Sequence, residues 1–203
     1  MPLIEHSFGI LALWSVIGYL LGSIPSGVII ARLMGLGNLR DIGSGNIGAT
    51  NVLRTGNKAA ALLTLLFDAG KGVFAVLLGR ILVGEDAAQL AGLFAMIGHC
   101  YPVWLRFKGG KGVATFLGIF LTLSFPVGLA CCAAWLVTAA VFRYSSLAAL
   151  VAVGMSPVWM LLLGAPSMLL LGLAFTILIY ARHWGNITRL RIGAETKIGK
   201  KSS

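Results

Sequence analysis

The chain has 203 residues, of which 58% are hydrophobic and only 11% charged, with a formal net charge of +10 and a mean hydropathy of +0.94. That balance excludes an ordinary soluble domain, and uninterrupted apolar runs of about twenty residues identify a polytopic helical membrane protein. The basic residues stand at the ends of apolar runs, so anionic lipid, the positive-inside bias and anionic substrates account for the charge, and no nucleic-acid partner is expected.

No stretch between runs is long enough for a second soluble domain, so residues 1–203 read as a single integral-membrane domain. The first run, 8–31, follows MPLIEHS, which has no lysine or arginine and so lacks the basic region of a secretory signal. It is therefore expected to stay in the protein as a span. Gly22-Ser23-Ile24-Pro25-Ser26-Gly27 signals a kink there, and Gly18, Gly22 and Ser26 have the small-xxx-small spacing of tightly packed helices.

Residues 40–58, RDIGSGNIGATNVLRTGNK, have none of this apolar character. Gly43, Gly45, Gly48 and Gly56 alternate with Ser44, Asn46, Thr50, Asn51 and Asn57, and Arg40, Arg54 and Lys58 add positive charge. Glycine lets backbone N–H groups turn toward an anion, hydroxyls and amides add neutral hydrogen bonds, and arginine offers a fork matched to phosphate oxygens. Two readings stand side by side: a phosphate or carboxylate site, or a glycine-rich connection whose arginines face lipid headgroups.

A second span, 59–83, is interrupted by Asp68 and Lys71, whose spacing of three puts them on one helical face as a local pair. The third, 87–105, ends in the interfacial segment His99-Cys100-Tyr101-Pro102-Val103-Trp104. Then comes a second basic glycine cluster, 106–112, expected to open the next helix. One helix over 113–142 would be ~45 Å long against a bilayer core of ~30 Å, so Ser124-Phe125-Pro126 is expected to divide it. A sixth span, 146–163, turns at Gly164-Ala165-Pro166 into a seventh, 168–181, followed by a basic tail from Arg182. Cys100, Cys131 and Cys132 lie in or beside apolar runs and receive no role.

Seven spans would gather fourteen of the sixteen lysines and arginines on one side, and the positive-inside rule makes that side the cytoplasm. The N-terminus is then outside, the C-terminus inside, and three polar clusters share the cytoplasmic face. The second cluster is not a nucleotide-hydrolysing loop: with Gly110-Lys111 as its GK, position 105 is leucine and 112 is glycine. Gly109 and Gly110 at a helix start, flanked by Lys108 and Lys111, still suit an anion. In the third cluster, His183 and Asn186 share a face if the helix continues. With six acidic residues in all, no carboxylate cage for a metal is visible, and no metal or cofactor is expected. Five residues after His6, His99 and His183 stand Leu11, Trp104 and Thr188, so the HxxxxD pattern of the widespread soluble-facing glycerolipid acyltransferases is missing, and no Ser-His-Asp or Cys-His set can be assembled.

The segments GSIPSG from Gly22, DIGSGNIGATNVLRTGNK from Asp41, GHCYPVWLRFKGGKGVAT from Gly98, RYSSLA from Arg143, RHWGNITRL from Arg182 and GAETKIG from Gly193 together resemble the bacterial acyl-phosphate:glycerol-3-phosphate acyltransferases. The resemblance runs the whole chain in order and departs only modestly, at Ser26, where the family usually has a bulkier residue. It implies an all-α, seven-helix enzyme of the bacterial inner membrane with its active site facing the cytoplasm. Such an enzyme moves a fatty acyl group from acyl phosphate to the 1-hydroxyl of glycerol 3-phosphate, giving lysophosphatidic acid and phosphate, the first acylation of phospholipid synthesis.

By resemblance, Gly43, Ser44, Gly45, Asn46, Thr50, Asn51, Gly110 and Lys111 would hold the acyl phosphate. Arg54, Lys108, Ser146, His183 and Asn186 would hold glycerol 3-phosphate, and Glu195 would brace the third motif. Ser44, Arg54, Lys111, His183 and Asn186 would be the catalytic set. The expected partners are these two substrates and membrane lipid. Another class, a phosphate or phospholipid transporter, would be marked by an internal inverted repeat, which the sequence does not display.

Overall fold

Ten α-helices and four short 3-10 turns make up the computed structural model, which describes residues 2–199; Lys200 and Lys201 of the basic tail lie outside the described residues. The apolar runs become α1 (Phe8–Gly22) with α2 (Ser26–Leu33), α4 (Lys58–Leu82), α5 (Glu85–Cys100), α6 (Val113–Leu123), α7 (Phe125–Phe142), α8 (Ser145–Leu162) and α9 (Leu169–Arg182). The short α3 (Ala49–Val52) lies within the first glycine-rich loop, and α10 (Trp184–Arg191) lies in the basic tail.

Both expected breaks occur, and each has a backbone cause. Pro25 has no N–H to continue the ladder, so α1 stops at Gly22 and α2 restarts at Ser26. Ser124 is extended, and Phe125-Pro126 begin α7, where a proline's missing N–H costs nothing. The combined run Phe8–Leu33, α4, α7 and α8 are each long and apolar enough to cross a membrane, and α9 with α10 forms a pair bent by 64° that raises the number to five. A seven-span arrangement would use α5, of 16 residues, and α6, of 11, as short crossings.

The described chain divides into two compact units, with the border inside α6 between Ile119 and Phe120. In the first unit α1 and α5 meet along small residues. A Cβ added to Gly18 would stand 2.3 Å from the Ala91 carbonyl oxygen, and one added to Gly22 only 2.0 Å from that of Ala95. Leu11 and Trp14 continue the seam against Ala75, Ala87 and Ala91. Asp86, at the start of α5, accepts from the backbone N–H groups of Glu5 and His6 at 3.0 and 3.1 Å and so fixes the beginning of the chain. Asp68 and Lys71 pair at 2.9 Å, as their spacing predicts, and both are buried.

The second unit manages a proline in mid-helix. Pro157 cannot donate to the Val153 carbonyl within α8, and that oxygen accepts instead from Ser156 Oγ at 2.8 Å and from Thr176 Oγ1 of α9 at 3.1 Å. The substitute bond joins the two helices. Phe175 of α9 stacks on Phe120 with ring centroids 5.2 Å apart.

The seam between α1 and α5 yields a stability test. Gly22→Ala puts a methyl where backbone already stands and should cost about 1–3 kcal/mol, seen as a lower thermal midpoint of the detergent-solubilised protein. Gly9→Ala meets no atom within 4 Å and should leave the midpoint unchanged.

Candidate active site

The first glycine-rich loop is organised by one buried amide. Asn51 is 1% exposed. Its Oδ1 accepts from the Ser44 N–H at 3.0 Å, from Ser44 Oγ at 3.3 Å and from Arg54 Nη1 at 3.3 Å, while Nδ2 donates to the Leu39 carbonyl at 3.0 Å. Expected as a ligand-binding residue, Asn51 has its amide engaged inside the loop, and its visible work is to hold Ser44 and Arg54 together. The turn that allows this needs glycine: Gly43 has φ +52°, and a Cβ there would meet Asn51 Oδ1 at 2.7 Å and Arg54 Nη1 at 2.8 Å. Ser44, Thr50 and Lys58 are exposed, Gly45, Asn46 and Arg54 half-buried. Asn57 caps α4 by accepting from the Ala60 N–H at 3.0 Å, which ends the loop.

Arg40 joins this loop to the second glycine cluster. Its Nη1 donates to the Gly45 carbonyl at 3.0 Å and its Nη2 to the Lys108 carbonyl. The sequence reading gives Arg40 only a charge, because no spacing rule links residues 40 and 108. Two carbonyl oxygens tied back on one guanidinium leave these loops richer in donors than in acceptors, which suits an anion.

The second cluster departs from its expected form. Helix α6 starts at Val113, so Gly109 and Gly110 do not stand at its N-terminus. Their N–H groups donate to the Cys100 and His99 carbonyls at 3.1 and 3.0 Å, which folds the strip back on the end of α5. Gly110 lies against the His99 ring, where a Cβ would stand 2.1 Å from Nε2. Its glycine identity is thus explained by packing, and the charge of this cluster comes from the exposed Arg106 and Lys108 and the half-buried Lys111.

In the second unit the polar cluster centres on Glu195. Its Oε1 accepts from Ser146 Oγ at 2.7 Å and from Asn186 Nδ2 at 2.6 Å, and its Oε2 from Arg189 Nε at 2.7 Å. Burial raises the Glu195 carboxyl, but the hydrogen bonds from Ser146, Asn186 and Arg189 and the Arg189 charge outweigh it and hold the group below the ordinary glutamate value. The helix does not continue through the third motif: α9 ends at Arg182, His183 stands between it and α10, and the chain bends by 64°. His183 is buried, with Nδ1 2.8 Å from the Ile179 carbonyl. A carbonyl only accepts, so Nδ1 carries a proton and donates it to Ile179. Among the described residues no three His, Cys, Asp or Glu side chains cluster as a metal site would require.

Residues 12–193 match the family model described as glycerol-3-phosphate acyltransferase. The chain belongs to this family. Among curated relatives, the glycerol-3-phosphate acyltransferase of Roseobacter denitrificans is 64% identical over 98% of this chain and all of the relative, and that of Jannaschia sp. is 62% identical over the full length of both. Among solved structures, PlsY (YgiH), an integral membrane glycerol 3-phosphate acyltransferase, matches in its glycerol 3-phosphate form with a TM-score of 0.88 at 38% identity, covering 93% of this chain and 96% of that one. The lysophosphatidic acid form of the same enzyme matches with a TM-score of 0.84 at 36% identity, covering 93% and 95%. The family's integral-membrane fold is therefore the fold of this chain.

The Glu195 cluster yields a pH test for this family member. A carboxyl held low in the folded state contributes stability above its unfolded value, near ~4.3, and that contribution is lost as pH falls through the lower folded value. The thermal midpoint of Glu195→Gln should lie below that of the unaltered protein at pH 7, and the two should converge as the pH drops below about 4.

Proposed function

We propose that this protein is a multi-pass enzyme of the bacterial inner membrane that transfers a fatty acyl group from acyl phosphate to the 1-hydroxyl of glycerol 3-phosphate. The observation that carries the reading is the pair of loops joined through Arg40, in which Asn51 gathers Ser44 and Arg54 and Lys108 and Lys111 add cations. Both substrates are phosphates, and such loops offer what phosphates need. The family membership supports the acceptor, and the structure of the lysophosphatidic acid form of PlsY supports the product.

In this reading Gly43, Ser44, Gly45, Asn46, Thr50 and Lys111 serve the acyl phosphate, with Asn51 shaping their loop and Gly110 seating Lys111. Arg54, Lys108, Ser146, His183 and Asn186 serve glycerol 3-phosphate, and Glu195 orients Ser146 and Asn186. The acceptor hydroxyl attacks the acyl carbon, the bond from that carbon to the phosphate oxygen breaks, and inorganic phosphate leaves. The hydroxyl proton passes to a phosphate oxygen, whose second pKa is about 6. Transfer is direct. Among the described residues no serine or cysteine has a recognisable base with an orienting partner, and an activated anhydride asks mainly for alignment and charge stabilisation.

Purified protein should release phosphate from acyl phosphate only when glycerol 3-phosphate is present. Release by hydrolysis alone, or a labelled acyl adduct on Ser44, would overturn direct transfer. A charge-assisted hydrogen bond is worth ~1.5–3 kcal/mol, so Arg54→Ala should lose roughly tenfold to a hundredfold in kcat/KM. Arg54→Lys should recover only part of that, because a single ammonium cannot reproduce the fork. Undiminished turnover in folded Arg54→Ala would remove Arg54 from the site.

Seven spans with both glycine loops in the cytoplasm complete the reading, on the charge asymmetry of the sequence. Single cysteines at position 48 and at the exposed position 106, in a background free of Cys100, Cys131 and Cys132, should stay unlabelled by an impermeant thiol reagent in intact cells and react once the membrane is opened. Labelling from outside would sink this orientation.

A further inference from the structure

Asp68 lies within the apolar helix α4, where an isolated carboxylate would cost several kcal/mol. Its side-chain Oδ1 is 2.9 Å from Lys71 Nζ and 3.5 Å from His99 Nδ1, and all three residues are buried. Lys71 Nζ also donates at 3.0 Å to the Ile24 carbonyl, at the break between α1 and α2. The backbone carbonyl of Asp68 accepts from Thr115 Oγ1 at 2.8 Å. Close backbone packing lies beside that bond: a Cβ on Gly118 would stand 2.5 Å from the Ala69 carbonyl oxygen, and one on Gly72 3.0 Å from that of Thr115.

His99 and Thr115 lie on either side of the second glycine-rich loop. His99 is at the end of α5, accepts the Gly110 N–H on its carbonyl at 3.0 Å, and presents its ring to Gly110. Thr115 is in the first turn of α6, just beyond Lys111 and Gly112. The entry and the exit of the loop therefore meet at one residue of α4, by its side chain on one side and its carbonyl on the other. A local salt bridge needs only Lys71, and the His99 ring at 3.5 Å and the Thr115 hydrogen bond at 2.8 Å add contacts to two flanking elements beyond what neutralising a charge requires.

We infer that Asp68 is a positioning residue for the reaction: with Lys71 and His99 it staples both ends of the loop that carries Lys108 and Lys111, and so fixes where those two cations stand. The inference rests on the reading of Lys108 and Lys111 as phosphate-binding groups. Asp68 touches no substrate and acts only through the loop. Misplacing a binding group by about 1 Å is enough to cost up to a hundredfold in rate, so a staple at the two ends of the loop governs turnover.

Asp68→Asn alone would leave Lys71 as an unpaired buried charge, so the test uses Asp68→Asn/Lys71→Met, which removes both charges together. In the purified, monodisperse variant, amide exchange over residues 101–112 should quicken, most at Gly109 and Gly110. The KM for glycerol 3-phosphate or acyl phosphate should rise, and kcat/KM per folded enzyme should fall about tenfold or more. A merely structural role would lower the thermal midpoint and leave both KM values unchanged. Native exchange in the loop, or native KM values, alongside an impaired Lys111→Ala would overturn the assignment of Asp68. If Lys108→Ala and Lys111→Ala were themselves silent, the phosphate-binding reading of the loop would fall, whatever the exchange experiment gave. Should the double variant not fold, Thr115→Val frees the exit side with both charges intact, and the same two readouts, faster exchange with raised KM or neither, support or overturn the staple.

Discussion

Lipid offers no hydrogen bonds, so each backbone or charged group within the apolar helices needs a partner from the chain itself. The two prolines that interrupt the helices show how the constraint is met. At the first break the Ile24 carbonyl takes Lys71 of α4; under Pro157 the Val153 carbonyl takes Thr176 of α9. Under Pro157 the lost intrahelical bond is replaced by one between helices, while at the first break the Ile24 carbonyl, which also accepts the Ser26 N–H at 3.0 Å, gains a bond from α4. The break at Pro25 and the mid-helix Pro157 are thus both points where a neighbour is fixed in register, and at Pro157 a residue that would weaken a soluble helix is the site of a cross-link.

The polar loops follow a related economy. Each is centred on a buried side chain that binds the groups around it: Asn51 in the first loop, Glu195 in the cluster of the second unit. A neutral amide suits a loop already rich in arginine and lysine, because it can hold Ser44 and Arg54 without cancelling their attraction for an anion. A carboxylate suits Glu195, where Ser146, Asn186 and Arg189 all arrive as donors and converge on its two oxygens. The choice of residue at each centre follows from what it must leave unneutralised.

Much of this was legible in the residues. The apolar runs, the break at Ser124 and the pairing of Asp68 with Lys71 follow from composition, proline chemistry and helical spacing, which act over a few residues. The candidate site was legible only as chemistry, since glycines, hydroxyls and cations in one loop suit an anion. Its wiring was not. Arg40 reaches Lys108 and Ser146 reaches Glu195 across separations that no periodicity encodes. The bend at His183 was also hidden: no proline marks it, and the neighbouring Gly185 falls inside α10. Gly109 and Gly110 misled for a different reason. Glycine next to a helix reads equally well as an anion nest or as a strip laid closely on a neighbouring residue, and only the positions of the His99 and Cys100 carbonyls decide.

The seam between α1 and α5 carries a thermal consequence. Gly18, Gly22, Ala91 and Ala95 have no side-chain rotamers to lose, so bringing the two helices together costs little conformational entropy. Its cohesion comes from atomic contact, since lipid tails are as apolar as the helices and supply no water-expelling drive. Contacts driven by expulsion of water weaken on cooling, and this seam does not share that dependence. The helix that leads into the second glycine-rich loop is therefore seated on a contact whose strength changes little as the membrane cools.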